Sequence, residues 1–361
     1  MQRDRWPIAR LRTDWCDNQL VSLPSRVSQL DQFARRSMAG VSRTVTTLAG
    51  LRRSRRPTSM PRADYAHTAT RLPLPMAALP LPPGIDAERL ERWVRAIRVD
   101  GAPESEMTSY VDEDFRRFVL TYGLARGEHG RCLEIGANPY FTTMLLTQFT
   151  ELEVTCTNYF GPHFPRKATQ TVTFIDLATG EDRNVSIDFD HFNTEDEAFP
   201  YPDGSFDVVI FCEVIEHLTN DPVRVLREIK RVLVPGGKLI VSTPNVVRLE
   251  NVARLVSGEN LYDPYSGYGP YGRHNREYNR HELGLLLEFA GFDIEELFSA
   301  DVHVNRSALF ADVDKLAPLV AHRIADLGQY LLLRGVNARP AKDGLPGFLY
   351  RSYGPGIIDA D

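Results

Sequence analysis

Between Phe206 and Ser242 the chain spells out one complete strand–helix–strand unit, and few folds accommodate a unit of that kind. The run FDVVIFC (Phe206–Cys212) has the length of a strand and is nearly all apolar, so both of its faces meet apolar neighbours. Asn220 and Asp221 are candidate helix caps, and Pro222 suits the first helical turn. Leu226, Ile229 and Leu233 recur as a buried stripe, while Arg224, Arg227, Lys230 and Arg231 fall on a solvated face. Pro235-Gly236-Gly237 ends the helix and turns the chain into a second strand, Lys238–Ser242. Parallel strands joined in this way need a sheet with helices on both faces.

The same alternation extends in both directions. Strands are predicted at 131–135, 152–157, 185–189, 206–212 and 237–242, and Thr171–Phe189 reads as a hairpin around Thr179-Gly180. Upstream, Ile85–Ile97 places Leu90, Trp93, Val94 and Ile97 on one helical face behind the cap Asp86, and a second helix is predicted over Glu106–Leu124. The fold class is therefore α/β, a mostly parallel sheet preceded by N-terminal helices. In such sheets ligands bind at the carboxyl ends of the strands, so functional residues belong just after them.

Charge divides the chain. Residues 1–71 hold fourteen arginines against five aspartates, a balance of +9; the whole chain is −6, which leaves −15 for the remainder. The basic head reads as a disordered leader or an upstream translated stretch, because its polar composition buries too little to order itself. Residues 72–84 read as a proline-rich linker, 85–125 as N-terminal helices, 126–340 as the main domain and 341–361 as a C-terminal tail. The acidic body argues against nucleic acid as a partner. Four cysteines without a C-x-x-C pair, and no apolar run of membrane-spanning length, fit reduced thiols in a cytoplasmic protein.

The first strand of the domain runs into CLEIGANPYFTTMLL (Cys132–Leu146). A dinucleotide site at such a turn needs glycines where this chain has Asn138 and Phe141, because the backbone must approach a pyrophosphate closely. A ligand presenting a carboxylate to a helix N-terminus needs fewer. Asn138 can take the left-handed conformation that a missing glycine would have supplied.

The motifs PDGSFDVV, EVIEHL, EIKRVLVPGGKLIVSTPN and, downstream, REYNRHELGLLLEFAGF (Arg276–Phe292) together resemble the class I S-adenosylmethionine-dependent methyltransferases, in that family's order, over roughly residues 105–338. The resemblance implies a Rossmann-like seven-stranded sheet whose last strand is antiparallel, with Phe292–Ser299 and Gly328–Val336 as its two final strands. It implies S-adenosyl-L-methionine as cofactor, a sulfonium nucleoside without phosphates, which accounts for the missing glycines. Glu134 and Gly136, with Ala137 and Asn138 beside them, match the residues at the cofactor's methionine end. Asn158 stands where the family usually has an acidic ribose ligand. Glu195, with Asn193 as competitor, stands where a polar group reads adenine. Tyr140 occupies a position where the family often has glycine.

The implied activity is O-methylation of a small or glycan-like hydroxylated acceptor, in the style of methyltransferases of polysaccharide and secondary-metabolite assembly. N- or C-methylation of a small metabolite, and a non-catalytic methyltransferase-like binding domain, are the alternatives. A hydroxyl acceptor needs a base, and the candidates are His274, Glu213, His217 and Glu216, with His274 preferred and His217 read as adjacent to the cofactor. No clustered His/Asp spacing marks a metal site, and none is assigned. Residues 246–280 form the acceptor side: a helix over Val246–Val256, then Tyr262, Tyr265, Tyr268 and Tyr271 among glycines and prolines, which reads as a loop. That loop is either a lid stacking on a ring or a loop packing its own rings against the domain.

Overall fold

The structure, a computed structural model, describes residues 78–303, 316–354 and 356–359; the basic head and residues 72–77 of the linker lie outside the described residues. Helix α1 (Ala87–Arg95) starts at Asp86, whose side chain accepts from the N–H of Arg89. Next come β1 (Arg98–Val99), α2 (Glu104–Ala125), β2 (His129–Ile135), α3 (Phe141–Phe149), β3 (Glu151–Asn158), β4 (Lys167–Ile175), β5 (Asp182–His191) and β6 (Phe206–Cys212). They are followed by α4 (Pro222–Val232), β7 (Leu233–Pro244), α5 (Leu249–Val256), α6 (Arg280–Phe289), β8 (Phe292–Ala300), β9 (Tyr330–Asn337), β10 (Leu345–Pro346) and β11 (Ile358–Asp359).

The main sheet has nine strands in the order β1-β4-β5-β3-β2-β6-β7-β9-β8. The seven from β5 to β8 form the expected sheet, parallel from β5 through β7, with β9 antiparallel to both neighbours. The two additional strands have a local origin. The connection from β3 to β5 is a strand, β4, folded back antiparallel on β5, and β1 pairs with its outer edge.

Period-two alternation distributes the core. Leu133, Ile135, Val209, Phe211, Leu239 and Val241 face the side packed by α4 and α6. Their neighbours Cys132, Val208, Ile210 and Ile240 pack with Leu120 and Leu124 of α2 and Leu146 of α3. Both faces are covered, which is why the central strands read as continuous apolar runs. The cysteines among the described residues are free thiols. No helix among these residues is long and apolar enough to cross a membrane.

The described part of the linker is packed rather than extended away. Leu79 and Leu81 lie against the core, and a Cβ added at Gly123 would come within 2.1 Å of Pro80 Cγ, so α2 and this segment touch backbone to ring. The tail is docked as well: Tyr350 is buried, and its hydroxyl donates to Asp221 Oδ1 at 2.8 Å beside the start of α4. Truncation of the chain to Ile85 is therefore expected to lower the melting temperature by several degrees relative to truncation to Ala78. Two or three apolar side chains lose their packing, at about 1.5–3 kcal/mol for each fully buried one. Equal melting curves for the two truncated chains would show that Leu79–Leu81 contribute nothing.

Candidate active site

The cleft opens over the carboxyl ends of β2, β3 and β6. After Ile135 the chain turns at Gly136, whose φ of +75° is open to glycine and costly for other residues. A Cβ there would lie 2.7 Å from Val214 Cγ2, so the bare backbone is a steric requirement too. The N–H groups of Gly136 and Ala137 donate to the Thr157 carbonyl at 2.9 and 3.2 Å, fastening this turn to the end of β3. The left-handed residue preceding α3 is Tyr140, with φ +69°, rather than Asn138. Its ring is fully buried in the core and its hydroxyl donates to Gln170 at 2.6 Å, which anchors that backbone conformation.

Two cavities meet over this turn, sharing Ile135, Gly136, Glu213 and His217 in their walls. The larger, about 340 Å³, is also lined by Glu134, Ala137, Asn138, Glu216, His274 and residues of α2. The smaller, about 160 Å³, is lined by Thr157, Asn158, Tyr159, Phe192, Asn193 and Tyr271. Together they have the size and concavity of a site for a small organic ligand.

The charges along the larger cavity are buried and mostly acidic. Glu134 is 4% exposed; its carboxyl accepts from Thr143 Oγ1 at 2.6 Å and forms no ion pair among the described residues. Burial pushes its pKa up to about 8 against the pull of that hydrogen bond. Glu213, at the end of β6, has φ +55° and accepts from Ser242 Oγ at 2.7 Å. Burial raises it to about 8, although Arg117 lies 3.9 Å away. Arg117 and Asp114 form a buried ion pair at 2.9 Å on α2. Burial works against the guanidinium, but Glu213 and Asp114 hold its pKa above the ordinary value.

Beyond Glu213 the turn Ile215–His217 and the segment after the tyrosine loop converge. Glu216 is completely buried; Oε2 accepts from Thr243 Oγ1 at 2.9 Å, while Oε1 has no hydrogen-bond partner. His217 pairs through Nδ1 with the Arg273 carbonyl at 3.0 Å, and His274 pairs through Nδ1 with Glu277 Oε1 at 2.9 Å. Their rings meet edge to face with centroids 4.9 Å apart. Burial and then the neighbouring His274 lower the pKa of His217. For His274 burial pulls downward, but Glu277, Glu216 and Asp263 raise it above the ordinary value. The structure thus brings Glu213, Glu216, His217 and His274 to one cavity wall, and ligand atoms of the last three lie within 4.8 Å of one another. Sequence spacing showed no such cluster, because Glu216 and His217 stand 57 residues or more before His274 and are joined to it only by folding.

The other expected residues separate. Ala137 and Asn138 line the larger cavity, and Asn158 and Asn193 line the smaller. The amide of Asn158 holds the turn together, accepting from the Asn138 N–H at 2.8 Å and donating to Tyr140 Oη at 3.0 Å. Asn193 donates to Asp196 at 2.7 Å and to Tyr271 Oη at 3.0 Å. Glu195 is a correction, because it lines neither cavity. Its carboxylate accepts from the N–H groups of Thr219, Asn220 and Asp221, the bare donors leading into α4. Of the loop tyrosines, Tyr262, Tyr265 and Tyr268 are 82%, 93% and 79% exposed, and only Tyr271 reaches the cleft. Among the lining residues unread in the sequence are Tyr110, Asp114 and Arg117 on α2, Tyr159, and Tyr330 of β9. Asp114 and Arg117 stand in the charged run DEDFRR (Asp112–Arg117), where spacing alone does not set them apart from Asp112, Glu113 and Arg116.

A family described as a methyltransferase domain matches residues 107–297, just over half of the 361 residues. A protein of Mycolicibacterium smegmatis named "Probable S-adenosylmethionine-dependent methyltransferase" is 34% identical over 150 residues, covering 40% of this chain and 52% of that protein. The ubiquinone biosynthesis O-methyltransferase of Xanthomonas oryzae pv. oryzae is 38% identical over 103 residues, covering 24% of this chain and 42% of that enzyme. The chain thus spans about half the length of these curated relatives or less. Among solved structures, a SAM-dependent methyltransferase of Archaeoglobus fulgidus aligns over 63% of this chain and 93% of that one, with 17% identity and a TM-score of 0.37.

Proposed function

The chain belongs to the S-adenosylmethionine-dependent methyltransferases, and on that premise we propose that it methylates a hydroxyl group of a small or glycan-like acceptor. One observation carries this reading: the bare turn at Gly136 opens directly onto a wall of proton-accepting groups, Glu213, Glu216, His217 and His274. When bound, S-adenosyl-L-methionine supplies an electrophilic methyl group and departs as S-adenosylhomocysteine. The protein's residues supply the rest.

Glu134 fits the cofactor's ammonium, since it is a buried carboxyl with no ion pair among the described residues. Gly136 leaves room for the methionine portion, and Tyr159, Asn158, Asn193 and Tyr271 flank the arm that suits a nucleoside. At the other end, the acidic and imidazole cluster would take the proton of an acceptor O–H aligned with the methyl group that the bound cofactor would supply. The named activity of the Xanthomonas relative is O-methylation, which supports oxygen as the acceptor atom. The net charge of −15 outside the head supports a small acceptor over nucleic acid. Labelled methyl transfer to hydroxylated acceptors tests the reading; label found on nitrogen or carbon replaces it with N- or C-methylation.

Glu134 also gives the cofactor site a pH signature. With its pKa near 8, the free protein holds this carboxyl protonated at neutral pH, whereas a bound ammonium favours the carboxylate. Binding then expels a proton, so affinity for S-adenosylhomocysteine is expected to rise from pH 6 to about pH 8 and then level off. Glu134→Gln should bind more weakly and with a flatter profile. A flat profile in the unaltered protein, measured by calorimetry, would remove Glu134 from the site.

A further inference from the structure

We propose that Glu216, His217 and His274 form a binding site for a divalent transition-metal cation at the acceptor end of the cleft. Each imidazole has its Nδ1 committed, His217 to the Arg273 carbonyl at 3.0 Å and His274 to the Glu277 carboxylate at 2.9 Å. Nε2 of each ring is thereby left as the lone-pair nitrogen. Metal-binding histidines are oriented in this way, through a carbonyl or carboxylate on the nitrogen that does not bind metal. Glu277 is itself held by Arg248, so the His274 ring is braced through a second ion pair.

The third ligand is the independent sign. Glu216 Oε1 is fully buried, has no hydrogen-bond partner, and lies 3.8 Å from His217 Nε2 on the cavity wall. A buried carboxylate oxygen without a donor needs a cation or a proton facing it. Its other oxygen is fixed by Thr243, which orients the carboxylate. Ligand atoms within 4.8 Å of one another must close to about 3–3.5 Å around a metal, a contraction that modest side-chain rotation supplies.

Two imidazoles and one carboxylate suit Mn²⁺, Fe²⁺, Co²⁺ or Zn²⁺ better than Mg²⁺ or Ca²⁺, which favour all-oxygen shells. Three protein ligands leave coordination positions open toward the cavity. This deepens the O-methylation reading and, for its chemical role, rests on it: an acceptor oxygen on the cation loses its proton more readily and is held for attack on the methyl group. Glu213, engaged by Ser242 and outside the ligand set, receives that proton when it is in its carboxylate form.

The test uses the full chain freed of metal by a chelator, with Mn²⁺ and Co²⁺ as probes. Calorimetry should show one saturable Mn²⁺ site per chain, weakened at least tenfold by Glu216→Gln and by His274→Ala. S-adenosylhomocysteine affinity should stay within about twofold in both variants. No saturable binding, or variants that bind Mn²⁺ like the unaltered chain, would overturn the site. Should the variants unfold, the Co²⁺ absorption spectrum of the unaltered chain decides: nitrogen-ligated bands support the site and an aquo-like spectrum overturns it. Cofactor binding without Mn²⁺ binding removes the metal site alone, whereas Mn²⁺ binding without cofactor binding removes the methyltransferase reading.

Discussion

Replacing His274 by alanine is expected to lower methyl-transfer turnover by about a hundredfold or more, while affinity for S-adenosylhomocysteine stays within about twofold. His274 lines the larger cavity but not the smaller one, which carries the nucleoside-compatible residues. Its main chain is fastened by its own N–H to Asp263 Oδ2 at 3.0 Å, so the substitution leaves the backbone path supported. The loss falls on the reacting end in two ways: Glu216 is deprived of its facing imidazole, and the acceptor hydroxyl of a proton-accepting or cation-holding group. His217→Ala should behave differently, because His217 belongs to the walls of both cavities and its ring supports Arg273. Weakened cofactor binding or a lower melting temperature is expected there. Full turnover by His274→Ala on its true acceptor would move the proton-accepting role to Glu213 or His217.

Gly136→Asp is expected to reduce cofactor affinity at least tenfold, about 1.4 kcal/mol, with calorimetry of S-adenosylhomocysteine as the readout. Three costs act together. The backbone is held at φ +75°, where a residue with a Cβ is strained. That Cβ would stand 2.7 Å from Val214, pressing the turn against the wall shared by both cavities. The added carboxylate would join Glu134 and Glu213, both already pushed up to about 8 by burial, in an environment that resists further negative charge. Equal affinity in the two proteins would mean that the ligand does not pass over this turn.

Much of the fold was legible because the central strands are buried on both faces and the helices between them carry one apolar stripe each. The cap Asp86 and the cap Asp221 with Pro222 stand where turn chemistry placed them. The outer edge was harder. The hairpin read over Thr171–Phe189 is the observed β4–β5 pair, but β1 has two residues in all, and its pairing with β4 comes from tertiary contact rather than from periodicity. The left-handed turn falls at Tyr140 because a buried ring and the Gln170 contact outweigh the usual preference of Asn for that conformation.

At the site, local motifs pointed to the Gly136 turn and to the Glu213–His217 segment. They did not reveal how those groups combine. Glu195 was matched by its position after β5, yet three bare N–H groups ahead of α4 offer a carboxylate more than the cleft does. His274 meets Glu216 and His217 only because the Asn275 N–H donates to the Glu216 carbonyl at 2.7 Å and its side chain to the His217 carbonyl at 2.9 Å. Nothing in sequence spacing encodes that closure. The tyrosine loop reading also changes. Three exposed rings exclude the possibility that the loop is packed throughout against its own domain, and Tyr271 alone contributes to the cleft wall.

The most direct measurement is a crystal structure of the protein with S-adenosylhomocysteine. The assignment requires the methionine end against Glu134 and Gly136, the nucleoside beside Asn158, Tyr159 and Asn193, and the sulfur facing the wall formed by Glu213, Glu216, His217 and His274. A ligand seated outside this cleft, or one whose sulfur points away from that wall, would contradict it.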